Sequence, residues 1–121
     1  MKIDIQSQGI PVTSDVRDHT VRRLSFALAR AAARVRRVKV QVSDVNGPRG
    51  GIDKRCRIQA SLDGIGDIVI EDTEANLFQA ISRAADRVGR NVMRRLERGS
   101  ARARTRLRRG LTVEAAAPQI G

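Results

Sequence analysis

Between Arg83 and Arg109 the chain places eleven arginines against only two acids, Asp86 and Glu97. That stretch holds a net +9 of the chain's formal +11, while residues 1–82 carry thirteen basic and ten acidic groups. Twenty-one of the twenty-four basic residues are Arg. A guanidinium stays charged at any working pH, forks onto phosphate oxygens and is weakly hydrated. The chemistry on offer is therefore recognition of a polyphosphate, first of all nucleic acid. At 100° per residue, Arg83, Arg87, Arg90, Arg94 and Arg98 fall within an arc of roughly 80° on a helix. No acid of that helix lies within the arc, and the cationic run continues through Arg102, Arg104, Arg106, Arg108 and Arg109. Like charges at i,i+4 oppose helix formation by a few tenths of a kcal/mol per pair, so something outside the helix must offset them.

Catalytic chemistry finds no foothold. His19 is the single histidine and reads as a surface residue. Cys56, the single cysteine, falls at an inward strand position and reads as a small buried hydrophobe. Asp63, Asp67, Glu71 and Asp72 flank a turn and a helix start, where turn chemistry and capping explain them. Gly47, Gly50 and Gly51 lack the strand-then-helix setting of a phosphate loop or dinucleotide fingerprint. No catalytic residue, metal site or cofactor is expected, and no small-molecule substrate. With two phenylalanines and no Trp or Tyr, a track of stacked bases on aromatic platforms is disfavoured. An anionic membrane surface would need bulky apolar residues free to insert, and the apolar positions of this helix are committed to a core. No signal peptide or membrane-length apolar run is present, so a cytoplasmic setting is expected.

The elements that must carry the arginines follow from periodicity. Ile3 and Ile5 alternate with polar residues as a short strand. Thr13 or Ser14 caps a helix expected to run to about Arg34, with Val16, Thr20, Leu24, Leu28 and Ala31 inward. Val38, Val40 and Val42 mark a second strand, and residues 46–51 a turn or flexible loop. Cys56, Ile58, Ala60 and Leu62 mark a third strand. Residues 63–66 turn it into a short fourth strand at Ile68 to Ile70. Asp72 or Thr73 is expected to cap the second helix. Leu77, Ile81, Ala84, Ala85, Val88, Val92 and Leu96 form its apolar stripe, opposite the arginines. Gly99-Ser100 is expected to end or fray it.

The order β-α-β-β-β-α implies an α+β fold of two layers, a four-stranded sheet with two helices on one face. The division expected is a domain over residues 1–99 and a basic, mostly disordered tail over 100–121. If both helices cover the same face, Arg22, Arg23, Arg30 and Arg34 of the first helix widen the basic surface. Arg55 and Arg57, on the wet face of the sheet, serve either solubility or phosphate contact.

Over residues 1–98 the chain resembles the family of ribosome hibernation-promoting factors and ribosome-associated inhibitors. The resemblance rests on the element order, on Met1-Lys2-Ile3-Asp4-Ile5 and on Pro11-Val12-Thr13. It rests most on Asn76-Leu77-Phe78-Gln79-Ala80-Ile81-Ser82 ahead of a basic helix. Phe78 stands where the family has Tyr, and Asn76 and Ser82 where it has acids. The resemblance implies binding to the small ribosomal subunit, its RNA and neighbouring ribosomal proteins, in the channel used by mRNA and tRNA. It implies translation inhibition in starved or resting bacteria, by occupancy rather than chemistry. The chain resembles the short form, lacking the C-terminal dimerisation domain of longer members.

The expected interface is Arg83, Arg87, Arg90, Arg94 and Arg98 with Arg22, Arg23, Arg30 and Arg34, and the tail arginines alongside. General binding of double-stranded RNA or DNA, or docking of an acidic protein on the basic face, are the alternatives. Competition with duplex RNA separates the first from a ribosome factor, and nuclease treatment of a pull-down separates the second. If five phosphates are neutralised, log affinity should fall with log salt at a slope of roughly −3.5 to −4.5, measured by titrating subunits across a salt series.

Overall fold

A computed structural model describes the backbone of residues 1–45 and 53–116, and the side chains of residues 1–45 and 53–99. The expected turn at 46–51 and the end of the expected tail, 117–121, lie outside the described residues. The elements are β1 (Lys2–Gln8), α1 (Ser14–Ala27), β2 (Val35–Asp44), β3 (Lys54–Leu62), β4 (Gly66–Glu74) and α2 (Leu77–Ala116), with a single 3-10 turn at Ala29–Ala31. The strands form one sheet in the order β1-β2-β3-β4. β1 runs parallel to β2, and β2–β3 and β3–β4 are antiparallel. The α+β architecture read from the sequence is the one observed.

Period-two alternation sets which face is covered. In register across the sheet stand Ile5, Val40, Ile58 and Ile70, and beside them Ile3, Val38, Ala60 and Ile68. On β2, β3 and β4 these side chains are buried. α1 covers them with Val16, Thr20 and Leu24, and α2 with Ala80, Ile81, Ala84, Ala85, Val88 and Val92, all six fully buried. Thr20 is accommodated because its hydroxyl donates to the Val16 carbonyl at 2.7 Å. Gly64 and Gly66 have φ of +73° and +106°, a backbone that side-chain-bearing residues resist, so the β3–β4 hairpin turns where the sequence indicated.

Three boundaries differ from expectation, each for a physical reason. α1 is capped by Thr13, whose Oγ1 accepts from the Val16 N–H at 3.2 Å, but it stops at Ala27 rather than near Arg34. Beyond Leu28 the chain tightens: Ala31 N–H bonds the Leu28 carbonyl at 3.0 Å and Arg34 N–H the Ala31 carbonyl at 2.9 Å. Three-residue spacing keeps Leu28 and Ala31 facing the core as the chain turns into β2, where Val35 is buried too. Arg30 and Arg34 therefore do not lie on α1. At the other helix, β4 extends to Glu74, so neither Asp72 nor Thr73 caps α2. Asn76 does so, accepting from the Gln79 N–H at 3.2 Å. α2 also passes Gly99-Ser100 and continues to Ala116. Gly99 and Gly110 each cost about 1 kcal/mol, and the Ala, Arg and Leu around them are strong helix formers with no proline before Pro118.

α1 and α2 meet where Gly89 faces Ala27. A Cβ at Gly89 would lie 2.6 Å from the Ala27 carbonyl oxygen and 3.1 Å from its Cβ. Here the glycine is required by contact distance. Gly89→Val should force the helices apart and lower stability by about 1–3 kcal/mol, measured by urea unfolding.

Candidate nucleic-acid interface

The buried stripe fixes the rotation of α2, so Arg83, Arg87, Arg90, Arg94 and Arg98 all emerge exposed on the side away from the sheet. They do not form a uniform row. Because β4 is longer than expected, Asp72 and Glu74 stand on the covered face at its end, in register with Cys56 and Lys54. There they reach the first turns of α2. Arg83 Nε lies 3.1 Å from Glu74 Oε1. Arg87 Nη1 lies 3.1 Å from Asp72 Oδ2 and donates to the Glu71 carbonyl at 2.9 Å. These two acids are about four-fifths buried and offset like-charge repulsion at the helix start. The offset that the sequence required from outside the helix comes, for the first two arginines of the row, from β4. Arg90, Arg94 and Arg98 have no ion pair among the described residues.

The contributions expected of α1 divide similarly. Arg23 Nη2 donates to Asp86 Oδ1 at 2.6 Å and ties α1 to α2. Arg22 is exposed and makes no ion pair among the described residues. Arg34 donates to the Asp63 carbonyl at 3.0 Å, anchoring the hairpin turn. Arg30 stands exposed on the 3-10 turn, near the middle of α2 across the groove between the helices. On the wet face of the sheet, Arg55 Nε lies 3.5 Å from Glu71 Oε1, while Arg57 is exposed. The backbone at Arg102, Arg104, Arg106, Arg108 and Arg109 is helical, and their side chains lie outside those described.

The residues set aside as non-catalytic have local partners. His19 Nε2 lies 3.1 Å from the Phe78 carbonyl and 2.9 Å from Ser82 Oγ, and its ring meets the Phe78 ring edge-on at 5.0 Å. Its role as a tie between the helices is not legible in the sequence, because a contact across sixty residues leaves no local pattern. Cys56 is fully buried, and desolvation, with Asp72 nearby, pushes its thiol up to about 12. Lys54 donates to Asp53 at 2.9 Å and to Asp44 at 3.5 Å; the bond to Asp53 is the main cause of its raised pKa. Among the described residues no cluster of His, Cys, Asp and Glu could hold a metal ion, and no helix is long and apolar enough to cross a membrane.

Against known proteins, residues 3–100 match the family described as Sigma 54 modulation protein / S30EA ribosomal protein. The chain belongs to that family. The resemblance to hibernation-promoting factors read over residues 1–98 is thereby borne out. No curated protein matches the chain. Among solved structures, the N-terminal domain of Thermus thermophilus Protein Y is similar, at 28% identity and a TM-score of 0.65, covering 78% of this chain and 98% of that one. A ribosomal subunit interface protein from Coxiella burnetii shares the fold at 12% identity and a TM-score of 0.65, covering 78% of this chain and 96% of that one. Asn76 caps α2, and Phe78 and Ser82 both meet His19, so each of the three residues read above as departures from the family pattern has a local partner.

Three outcomes test this geometry. Charge reversal at Arg83 and Arg87 should lower stability by about 1 kcal/mol or more by setting carboxylates against Asp72 and Glu74. Reversal at Arg90 and Arg94 should stay within about 0.5 kcal/mol of the wild type in the same unfolding assay. At pH 8 the buried Cys56 thiol should remain protonated, so labelling by a thiol reagent should be slow in the native protein and fast in denaturant.

Proposed function

We propose that the chain is a ribosome-associated hibernation factor that acts by occupying the mRNA–tRNA channel of the small subunit. The observation that carries this reading is the ridge of Arg90, Arg94 and Arg98, exposed on a helix whose rotation is fixed and without a carboxylate partner among the described residues. A guanidinium that holds no ion pair among the described residues gains most from a phosphate, because no carboxylate has to be displaced from it. Arg22 and Arg30 extend the ridge, and Arg83 and Arg87 would share their charge between phosphate and the acids of β4. Phosphate contacts would position the protein and the shape of folded ribosomal RNA would select its site. The arginines from Arg102 to Arg109 would continue along neighbouring RNA, as a basic tail to the domain of residues 1–99. Inhibition needs no chemistry, since two occupants cannot fill one volume. Family membership and the likeness to Protein Y support a ribosomal partner over duplex nucleic acid in general, and with it a cytoplasmic setting.

Co-sedimentation of the purified protein with isolated small subunits tests the proposal. Binding should persist at moderate salt against excess duplex RNA and be lost when mRNA and tRNA are bound first. Arg90→Glu with Arg94→Glu should weaken it strongly. Binding unaffected by the double reversal, or equal partition onto duplex RNA, would refute the reading.

A further inference from the structure

The groove between α1 and α2 has a composition that the arginine ridge alone does not explain. It is an open cleft of about 690 Å³ alongside Ala27, Gly89 and Met93. Its floor is low because Gly89 lets the helix backbones approach at Ala27. On its wall stands Phe26, 77% exposed, one of only two aromatic residues in the chain other than His19. Phe26 lies off the buried stripe of α1 and makes no aromatic contact among the described residues. An exposed phenylalanine on a soluble surface is informative when it adjoins a concave apolar site. Around this one the rim is cationic: Arg30 on one side, Arg90 and Arg94 on the other. Of the two acids at the rim, Asp86 is already paired with Arg23, which leaves Glu97 against three guanidiniums.

An apolar slot with one flat ring, bordered by phosphate-binding cations, is complementary to a flat apolar group carrying negative charge on both sides. We propose that the cleft receives a single unstacked nucleobase of folded RNA, laid against Phe26, with its flanking phosphates on Arg30, Arg90 and Arg94. The inference deepens the proposed function and rests on it: the ridge holds the backbone, and the cleft reads an extruded base. Stacking is tolerant of sequence because every base has a π-face, so the site selects an unpaired nucleotide rather than a particular letter. A single aromatic accommodates one base, not a track, in keeping with the scarcity of aromatics. Asp86, held by Arg23, is kept from opposing the phosphates. An acidic protein segment would gain from the arginines but has no need of an exposed ring above an apolar floor.

The chain contains no Trp or Tyr, so Phe26→Trp introduces a single fluorophore at the site. The probes are a short RNA hairpin with an unpaired bulge, the fully paired hairpin, and intact small subunits. The bulged hairpin and the subunits should quench the indole emission of the Phe26→Trp protein, and the paired hairpin should not. Phe26→Ala should weaken binding to the bulged hairpin about five- to a hundredfold, with Phe26→Trp retaining affinity. The salt slope of Phe26→Ala should equal that of the wild type, because no charge is removed. Equal quenching by both hairpins, or unchanged affinity of Phe26→Ala, would overturn base insertion. Shielding of the introduced indole by subunits but by neither hairpin would overturn it in favour of a ribosomal protein on the groove. If Phe26→Ala binds like the wild type while Arg90→Glu with Arg94→Glu does not, the cleft proposal fails and the ridge stands. If neither substitution matters, the functional reading beneath it fails as well.

Discussion

The rotation of α2 about its own axis is the constraint on which everything else depends. Ile81, Ala84, Ala85, Val88 and Val92 are wholly excluded from water against the sheet. Burying a Val or Ile side chain is worth roughly 1.5–3 kcal/mol, so turning the helix to expose this stripe would cost more than any surface ion pair could return. With that face fixed, the 3.6-residue period leaves Arg83, Arg87, Arg90, Arg94 and Arg98 no direction but outward. Hydrophobic packing, which carries no information about RNA, thus determines where the cations point.

The acids of β4 then divide the helix into two regimes. Asp72 and Glu74 meet Arg83 and Arg87 near the edge of the domain, where partial burial limits screening. This balances charge where the helix joins the sheet, and the unbalanced charge begins one turn later at Arg90. A protein that bound phosphate with every arginine would carry unrelieved repulsion through the start of its longest element. Here the arginines paired with β4 and those without an ion pair among the described residues are successive members of the same face. The Arg23–Asp86 pair acts likewise, joining the helices, while Arg30 and Arg90 on either side of the groove have no ion pair among the described residues.

Much of this is legible before any coordinate. Val38, Val40 and Val42, and Cys56, Ile58, Ala60 and Leu62, alternate so strictly that their strands and buried face follow from the pleat. The stripe from Ile81 to Val92 likewise fixes the outward face of α2. What escapes the sequence is set by contacts distant along the chain. Asp72 and Glu74 look like residues of a helix start because the local pattern of β4 fades after Ile70, yet sheet pairing with Cys56 and Lys54 carries the strand further. That displacement turns them into the partners of Arg87 and Arg83. The end of α1 is hidden because alanine-rich sequence favours helix, whereas Leu28, Ala31 and Val35 need three-residue spacing to stay buried. The groove beside Phe26 has no signal beyond a residue off its stripe, since a cleft exists only once two helices meet.

The central claim is that the outer face of α2, and not the wet face of the sheet, lies against RNA. An electron cryomicroscopy reconstruction of the chain bound to the small subunit tests it most directly. The account predicts phosphates within hydrogen-bonding distance of Arg90, Arg94 and Arg98, with the sheet face of Arg57 less engaged. A reconstruction with those three guanidiniums in open solvent and the sheet face seated on RNA would contradict it.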